Sequence, residues 1–224
     1  MNKVLVVAAH PDDEILGCGG TILKHLSKND DVRIILMTNG EDSRHLVTSD
    51  DIQQRKNSTK QSMRDLGVSS WHQYSFLDNQ MDTHPLLEIV KIVENEVAKH
   101  QPSIIYTHTS SDLNIDHYIT HKATITACRP FNGQTIKKIL CFEIPSSTEW
   151  NTRSFGEMFY PNYFEDITLY LEKKMNILLN YRNELREYPH PRSLEAIINL
   201  HKYRGSSVGI EAAEAFSLER CIKY

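Results

Sequence analysis

The chain has 224 residues, with 25 Lys and Arg against 29 Asp and Glu, and this mildly acidic balance without a basic stripe excludes the clustered positive face that nucleic acid requires. The length suits one generous α/β domain and is enough to bury a core without disulfide or metal staples. Cys18, Cys128, Cys141 and Cys221 form no C-x-x-C pair or disulfide framework and read as structural thiols of a reducing compartment.

Residues 4–9 are a continuous apolar, β-branched-rich run, the pattern of a strand buried on both faces, and they open into a turn of Pro and Asp. The run is too short for the core of a secretion signal, and no segment approaches the roughly 20 apolar residues that span a bilayer, so a cytoplasmic protein without stable membrane insertion is expected. Helical spacing follows over 15–27, and a second buried strand over 32–37 ends in Thr38-Asn39-Gly40-Glu41. A polar helix over 52–66 is closed by Gly67, a suitable C-terminal cap. Further strands are expected over 72–76, 103–107 and 139–142, and helices over 85–100 and 116–128. This alternation predicts an α/β fold, a single doubly wound, mostly parallel Rossmann-like sheet with helices on both faces. Beyond Phe142 the pattern turns Pro-, Ser- and aromatic-rich, then gives two amphipathic helices near 168–187 and 192–204. Residues 143–224 are therefore expected as a C-terminal helical cap on the 1–142 core, within one domain.

Ligands of such sheets sit outside the carboxyl ends of the strands, which selects the loops after Ala9, Met37 and Thr107. The first reads His10-Pro11-Asp12-Asp13-Glu14. So many ligands and bases at the end of a buried strand repel one another unless a cation or hydrogen bonds compensate them. A metal is the simplest compensation, and imidazole with carboxylate suits zinc. The competing reading is that Asp12 or Asp13 merely caps the following helix. Against it stands the third loop, which runs from His108 through Asp112, Asn114 and Asp116 to His117, with His121 one helical turn further. Both clusters fall on the same edge of the sheet.

The pairing of Ala9-His10-Pro11-Asp12-Asp13-Glu14 with a later Asp116-His117 at a helix start resembles the PIG-L/LmbE family of zinc-dependent N-acetylglucosamine deacetylases, through the tail segment Arg204-Gly205 and 212–216. The resemblance implies that His10, Asp13 and His117 hold Zn2+ or another divalent metal such as Fe2+. It implies that Asp12 is the general base, and that Asp116 hydrogen-bonds a histidine and orients it. It also implies an amino-sugar substrate carrying an N-acetylglucosamine unit, and a homo-oligomer. One position departs from the pattern: Asn114 stands where many members have histidine, and an amide cannot act as an acid at neutral pH. Either the metal and Asn114 share oxyanion stabilisation, or His108, His121 or His190 substitutes.

By the same resemblance, Glu41 and Arg44 in the second loop line the sugar pocket, and Arg55 on the next helix contacts substrate, although Ser58 replaces a frequent Glu. Pro189-His190-Pro191-Arg192 joins two helices and offers His190 and Arg192 as further substrate-binding candidates. Trp71 and Trp150 can stack on a sugar but read more simply as packing residues. Gly17-Cys18-Gly19-Gly20 lacks the phosphate-loop fingerprints and reads as close packing behind the metal loop. The competing functions are an amidase for a larger acyl or thiol conjugate, a non-catalytic sugar-binding relative, and a nucleotide-binding module, the last opposed by the missing glycine fingerprint.

Overall fold

The computed structural model describes residues 1–40, 48–153 and 156–223. Seven strands, β1 (Lys3–Ala8), β2 (Asp31–Thr38), β3 (Ser70–Phe76), β4 (Ile104–His108), β5 (Lys138–Phe142), β6 (Tyr163–Asp166) and β7 (Ala213–Cys221), form one sheet in the order β3-β2-β1-β4-β5-β7-β6. The first five run parallel, and β7 pairs antiparallel with both β5 and β6. The connecting helices are α1 (Asp13–Ser27), α2 (Ser49–Leu66), α3 (Leu86–His100), α4 (Ile115–Ala127), α5 (Leu171–Leu178) and α6 (Leu194–Ser206).

Alternation along β1 divides the core. Val4, Val6 and Ala8 face a layer that includes Ile15, Ile22, Met63, Met175 and Ile197 from α1, α2, α5 and α6. Leu5 and Val7 face Val90, Val93 and Ala123 from α3 and α4. Both faces of β1 are thus dry, which is why residues 4–9 read as an unbroken apolar run. The polar helix starts at Ser49, earlier than expected, because Thr48 and Asp51 close a capping box ahead of it.

Two departures follow from tertiary demands. The helix expected over 168–187 ends at Leu178 and continues as a 3-10 helix, Leu179–Glu184, with Tyr181 out of helical geometry so that its hydroxyl reaches the buried Glu14. Residues beyond Phe142 also supply β6 and β7, so they extend the sheet as well as adding α5 and α6. The start of β7, Ala213-Glu214-Ala215, has weak strand propensity and is set by what Glu214 does. Helix α1 breaks at Cys18 (φ −148°, ψ 24°), exposing backbone groups on both sides of the break. The Glu214 carboxylate accepts from the Gly20 and Thr21 amides at 2.8 and 2.7 Å, and Lys174 Nζ donates to the Leu16 carbonyl at 2.9 Å. Lys174 completes its three bonds with Glu214 at 2.7 Å and His201 Nε2 at 2.8 Å. One fully satisfied buried ion pair therefore splices the broken helix. A side chain at Gly17 would enter the Phe142 ring, so the small residues here serve close packing behind the first loop.

Candidate metal centre and catalytic pocket

Strands β1 and β4 are neighbours, with Val7 opposite Thr107, and the strand order reverses between them. That switch point opens a crevice at their carboxyl ends and brings the first and third loops together across about a hundred residues of chain. His10 Nδ1 lies 3.1 Å from Asp13 Oδ2 and 3.1 Å from His117 Nε2, and Asp13 Oδ2 lies 3.3 Å from His117 Nε2. Ligand atoms about 2.0–2.1 Å from one tetrahedral zinc are separated by about 3.3 Å, so the triangle has the size such an ion requires.

The outward ring nitrogens are held as metal-ligating histidines need. His117 Nδ1 faces Asp112 Oδ1 at 3.0 Å, while His10 Nε2 faces Asp78 Oδ1 at 2.9 Å and Asp116 Oδ2 at 3.1 Å. When each neutral ring donates outward, both lone pairs turn inward toward the Asp13 carboxylate, an arrangement that a cation compensates. Asp13 Oδ1 is buried without a hydrogen-bond partner, the mark of an anionic site built for another charge. His10, Asp78 and Asp116 make a second cluster of possible ligands. There, however, both Asp116 oxygens take backbone donors, Asn79 N at 2.7 Å and Met81 N at 3.0 Å, whereas Asp13 takes one, His10 N at 2.8 Å on Oδ2, and keeps Oδ1 unpaired, so the first cluster fits the metal better. Without a cation, protons do the compensating. Burial opposes a charged His117, yet Asp112 and Asp13 carry it up to about 9. His10 likewise overcomes burial through Asp116, Asp13 and Asp78 and is held well above its ordinary value. A bound metal displaces these protons.

Asp12 occupies the N-cap of α1 with φ 108° and ψ −28°, a left-handed conformation that costs an aspartate of order 1–3 kcal/mol and recurs at functional sites. Its amide donates to Glu14 Oε2 at 3.0 Å, and Glu14 Oε1 accepts from the Tyr181 hydroxyl at 2.9 Å. Its carboxylate accepts from Arg192 Nη1 at 3.2 Å, with Arg55 Nη2 3.7 Å away. Burial pushes the Asp12 carboxyl up to about 6 against the pull of Arg192 and Arg55. Arg55 itself donates to the Pro11 carbonyl at 2.6 Å and pairs with Glu184 at 2.5 Å, so a residue from the 3-10 helix gives Arg55 a carboxylate partner although position 58 holds Ser.

Asp12, His10, Arg55 and Arg192 line one pocket, together with Asp78, Asn79, Asn114 and Glu184. Gly40 closes its floor in a left-handed conformation (φ 76°), because a Cβ there would lie 2.8 Å from the Pro11 ring. Asn114 is committed on both sides: its Oδ1 caps α4 at the Asp116 and His117 amides, and its Nδ2 donates to Asn79 Oδ1 at 2.9 Å. Of the histidines considered as its substitute, His108 is fully buried and accepts the Ala9 amide at Nε2 (2.9 Å), and burial with the neighbouring His117 holds it neutral. His121 Nδ1 faces the His108 carbonyl at 2.9 Å. His190 Nδ1 accepts the Arg192 amide at 3.0 Å. None of the three lines the pocket. Glu41 and Arg44 lie outside the described residues. Trp71 packs against the core, but Trp150 is 48 % exposed beside His190 and is no packing residue. Sequence reasoning placed Asp112 in the third loop without giving it a role, and it missed Asp78 and Glu184. Asp112 lies five residues before His117, outside the Asp-His pair that drew attention, and Asp78 and Glu184 lie in segments that carry no motif.

No helix among the described residues is long and apolar enough to cross a membrane. The chain is 27 % identical over 169 residues to the uncharacterized deacetylase YaiS of Escherichia coli, covering 73 % of this chain and 81 % of that protein. The fold is that of N,N'-diacetylchitobiose deacetylase from Pyrococcus horikoshii, with a TM-score of 0.79 at 20 % identity over 98 % of this chain and 84 % of the other. It is also that of GalB, the 4-carboxy-2-hydroxymuconate hydratase of Pseudomonas putida, with a TM-score of 0.77 at 19 % identity over 100 % and 98 % of the two chains. One architecture thus carries more than one chemistry, and the reaction has to be argued from the site. The family model PIG-L, described as GlcNAc-PI de-N-acetylase, matches residues 5–128, more than half of the chain and the stretch holding both loops of the candidate metal centre, and the chain belongs to this PIG-L family.

Proposed function

We propose that this protein is a zinc-dependent N-deacetylase that hydrolyses the acetamido group of an N-acetylglucosamine-type sugar or sugar conjugate. The observation that carries the reading is the triangle of His10 Nδ1, Asp13 Oδ2 and His117 Nε2 beside a buried carboxylate, Asp12, in a polar pocket. Family membership and the deacetylases among its relatives support the reaction class.

His10, Asp13 and His117 hold the metal, which supplies Lewis acidity toward water and the amide carbonyl when bound. Asp12 is the general base. Raised to about 6, its carboxylate is ionised at neutral pH yet basic enough to take a proton from the attacking water and pass it to the departing amine. Asp116 and Asp78 orient His10, and Asp112 orients His117. Arg55 and Arg192 present donors to substrate, Asn114 lines the same pocket and bounds the substrate there, and His190 backs Arg192. Glu41 and Arg44, outside the described residues, keep the substrate-binding role that the family resemblance implies.

Metal analysis of protein purified without added metal is expected to find one divalent ion per chain, lost in His117→Ala. Free-amine release is then measured across N-acetylglucosamine and its phosphorylated, nucleotide and thiol-conjugate forms. Asp12→Asn is expected to keep the metal and lose at least about 100-fold in turnover. Metal-free protein that zinc does not activate would refute the metal assignment. Loaded protein releasing no amine from any of these compounds would refute the reaction.

A further inference from the structure

The reaction needs a donor for the oxygen that takes up negative charge when water adds to the amide carbonyl. The residue in the usual place, Asn114, spends its carbonyl on the α4 cap and donates its amide to Asn79. His108, His121 and His190 all turn to backbone groups and lie outside the pocket lining. Two cations line the pocket. Arg55 is anchored by the Pro11 carbonyl and Glu184 and is 7 % exposed. Arg192 is held differently. Its Nε donates to Ser146 Oγ at 2.8 Å and to the Pro145 carbonyl at 3.3 Å, and its Nη1 reaches Asp12 Oδ2 at 3.2 Å. Its Nη2 has no hydrogen-bond partner among the described residues, although the side chain is 21 % exposed and borders the cavity. The guanidinium is held at Nε and at Nη1, and Nη2, bonded to the same carbon as the nitrogen that meets the base, is left for a ligand.

We propose that Arg192 donates from its guanidinium edge to the carbonyl oxygen of the scissile amide, taking over the charge-stabilising task of the histidine that Asn114 replaces. The inference rests on the deacetylase reading above. Water forms the new C–O bond as its proton passes to Asp12, and Arg192 stabilises the resulting oxyanion. The C–N bond then breaks as Asp12 returns the proton to nitrogen, leaving acetic acid and the free amine, and the acid's remaining proton passes to the amine or to solvent to give acetate. Arg192 gives up no proton in either step, as its high basicity requires. The division of labour is complete: charge stabilisation falls to Arg192 and proton transfer to Asp12, so position 114 needs no acid.

The probe is methylphosphonate, a tetrahedral anion with the size and shape of the acetyl group after water has added. Its binding to zinc-loaded protein is measured by calorimetry, with metal content determined on the same samples. Arg192→Ala is expected to weaken binding about 10- to 100-fold, the contribution of a charge-assisted hydrogen bond, with zinc retained. Arg192→Lys is expected to fall between, because it keeps the charge and loses the fork. The same loss is expected in an Asp12→Asn background, where a role confined to positioning Asp12 predicts no further effect. An unchanged affinity in Arg192→Ala, or a loss that vanishes in the Asp12→Asn background, overturns the proposal. Wild-type protein that deacetylates yet does not bind methylphosphonate overturns this proposal alone. Loaded wild-type protein that does neither overturns the deacetylase reading with it.

Discussion

The Asp112→Asn substitution isolates the support of a single proposed metal ligand, His117. Asp112 Oδ1 takes His117 Nδ1 at 3.0 Å, the Asn114 amide at 2.9 Å and the Ser147 hydroxyl, and Oδ2 takes the Thr148 hydroxyl at 2.6 Å. Every neighbour donates, so an asparagine keeps its carbonyl on the crowded His117 side and turns its NH2 toward Thr148. Shape survives, and what is lost is the charge that fixes the His117 ring and raises its basicity. Removing such an outer partner costs about 10- to 100-fold in metal affinity, or about 1.4–2.7 kcal/mol. The control comes from the other histidine. His10 Nε2 meets two carboxylates, Asp78 at 2.9 Å and Asp116 at 3.1 Å, so Asp78→Asn leaves one in place and is expected to cost less than about 5-fold. Competition against a chromophoric zinc chelator at constant pH and ionic strength reads both affinities. An Asp112→Asn affinity within about 2-fold of wild type, or a larger loss in Asp78→Asn, would refute this account of the centre.

Gly17→Ala drives a methyl group into the Phe142 ring, whose edge packs on His108 and so on the His117 stack, and is expected to lower both stability, by about 1–3 kcal/mol in urea unfolding, and zinc affinity. Lys174→Met strands Glu214 and the Leu16 carbonyl and is expected to cost about 3–5 kcal/mol. Replacing the pair together, Lys174→Met with Glu214→Leu, is expected to stay destabilising by at least about 2 kcal/mol, since the Leu16 carbonyl and the Gly20 and Thr21 amides still lose their partners; recovery to wild-type stability would show that the splice is dispensable. Burial and the Lys174 ammonium hold His201 well below its ordinary 6.5, so below that pH the unfolded chain takes up a proton that the folded chain refuses. Wild-type stability is therefore expected to fall faster than that of His201→Gln as pH drops from 7 to 5, by up to about 1.4 kcal/mol per unit, and parallel curves would refute the assignment.

The parts legible in the sequence are those where one physical demand acts alone. Residues 4–9 had only to be dry on both faces, and β2, β4 and β5 announced themselves in that way, whereas β3 at the sheet edge is only part-buried. His10, Asp13 and His117 could be picked out as candidate ligands because such side chains crowd where a strand ends, and β1 and β4 are neighbours at the switch point, which puts the three together. What stayed hidden depends on two distant segments at once. Glu214 looks like a surface residue in a weak strand and is instead the cap of a helix break nearly 200 residues earlier. Arg192 could be named as a substrate-binding candidate in a helix connector, but its contact with Asp12, 180 residues away, could not be read. Tyr181 ends a helix that its own periodicity would have continued, because Glu14 needs its hydroxyl. In each case the local pattern yields to a buried acidic group that requires a partner, and these groups gather around the first loop and the helix that follows it. Asp12 sits at their centre in a backbone conformation few aspartates adopt, held by Glu14 at its amide and Arg192 at its carboxylate. The same contacts that defeat local prediction are therefore the ones that keep the proposed base strained, half-neutralised and aimed into the pocket.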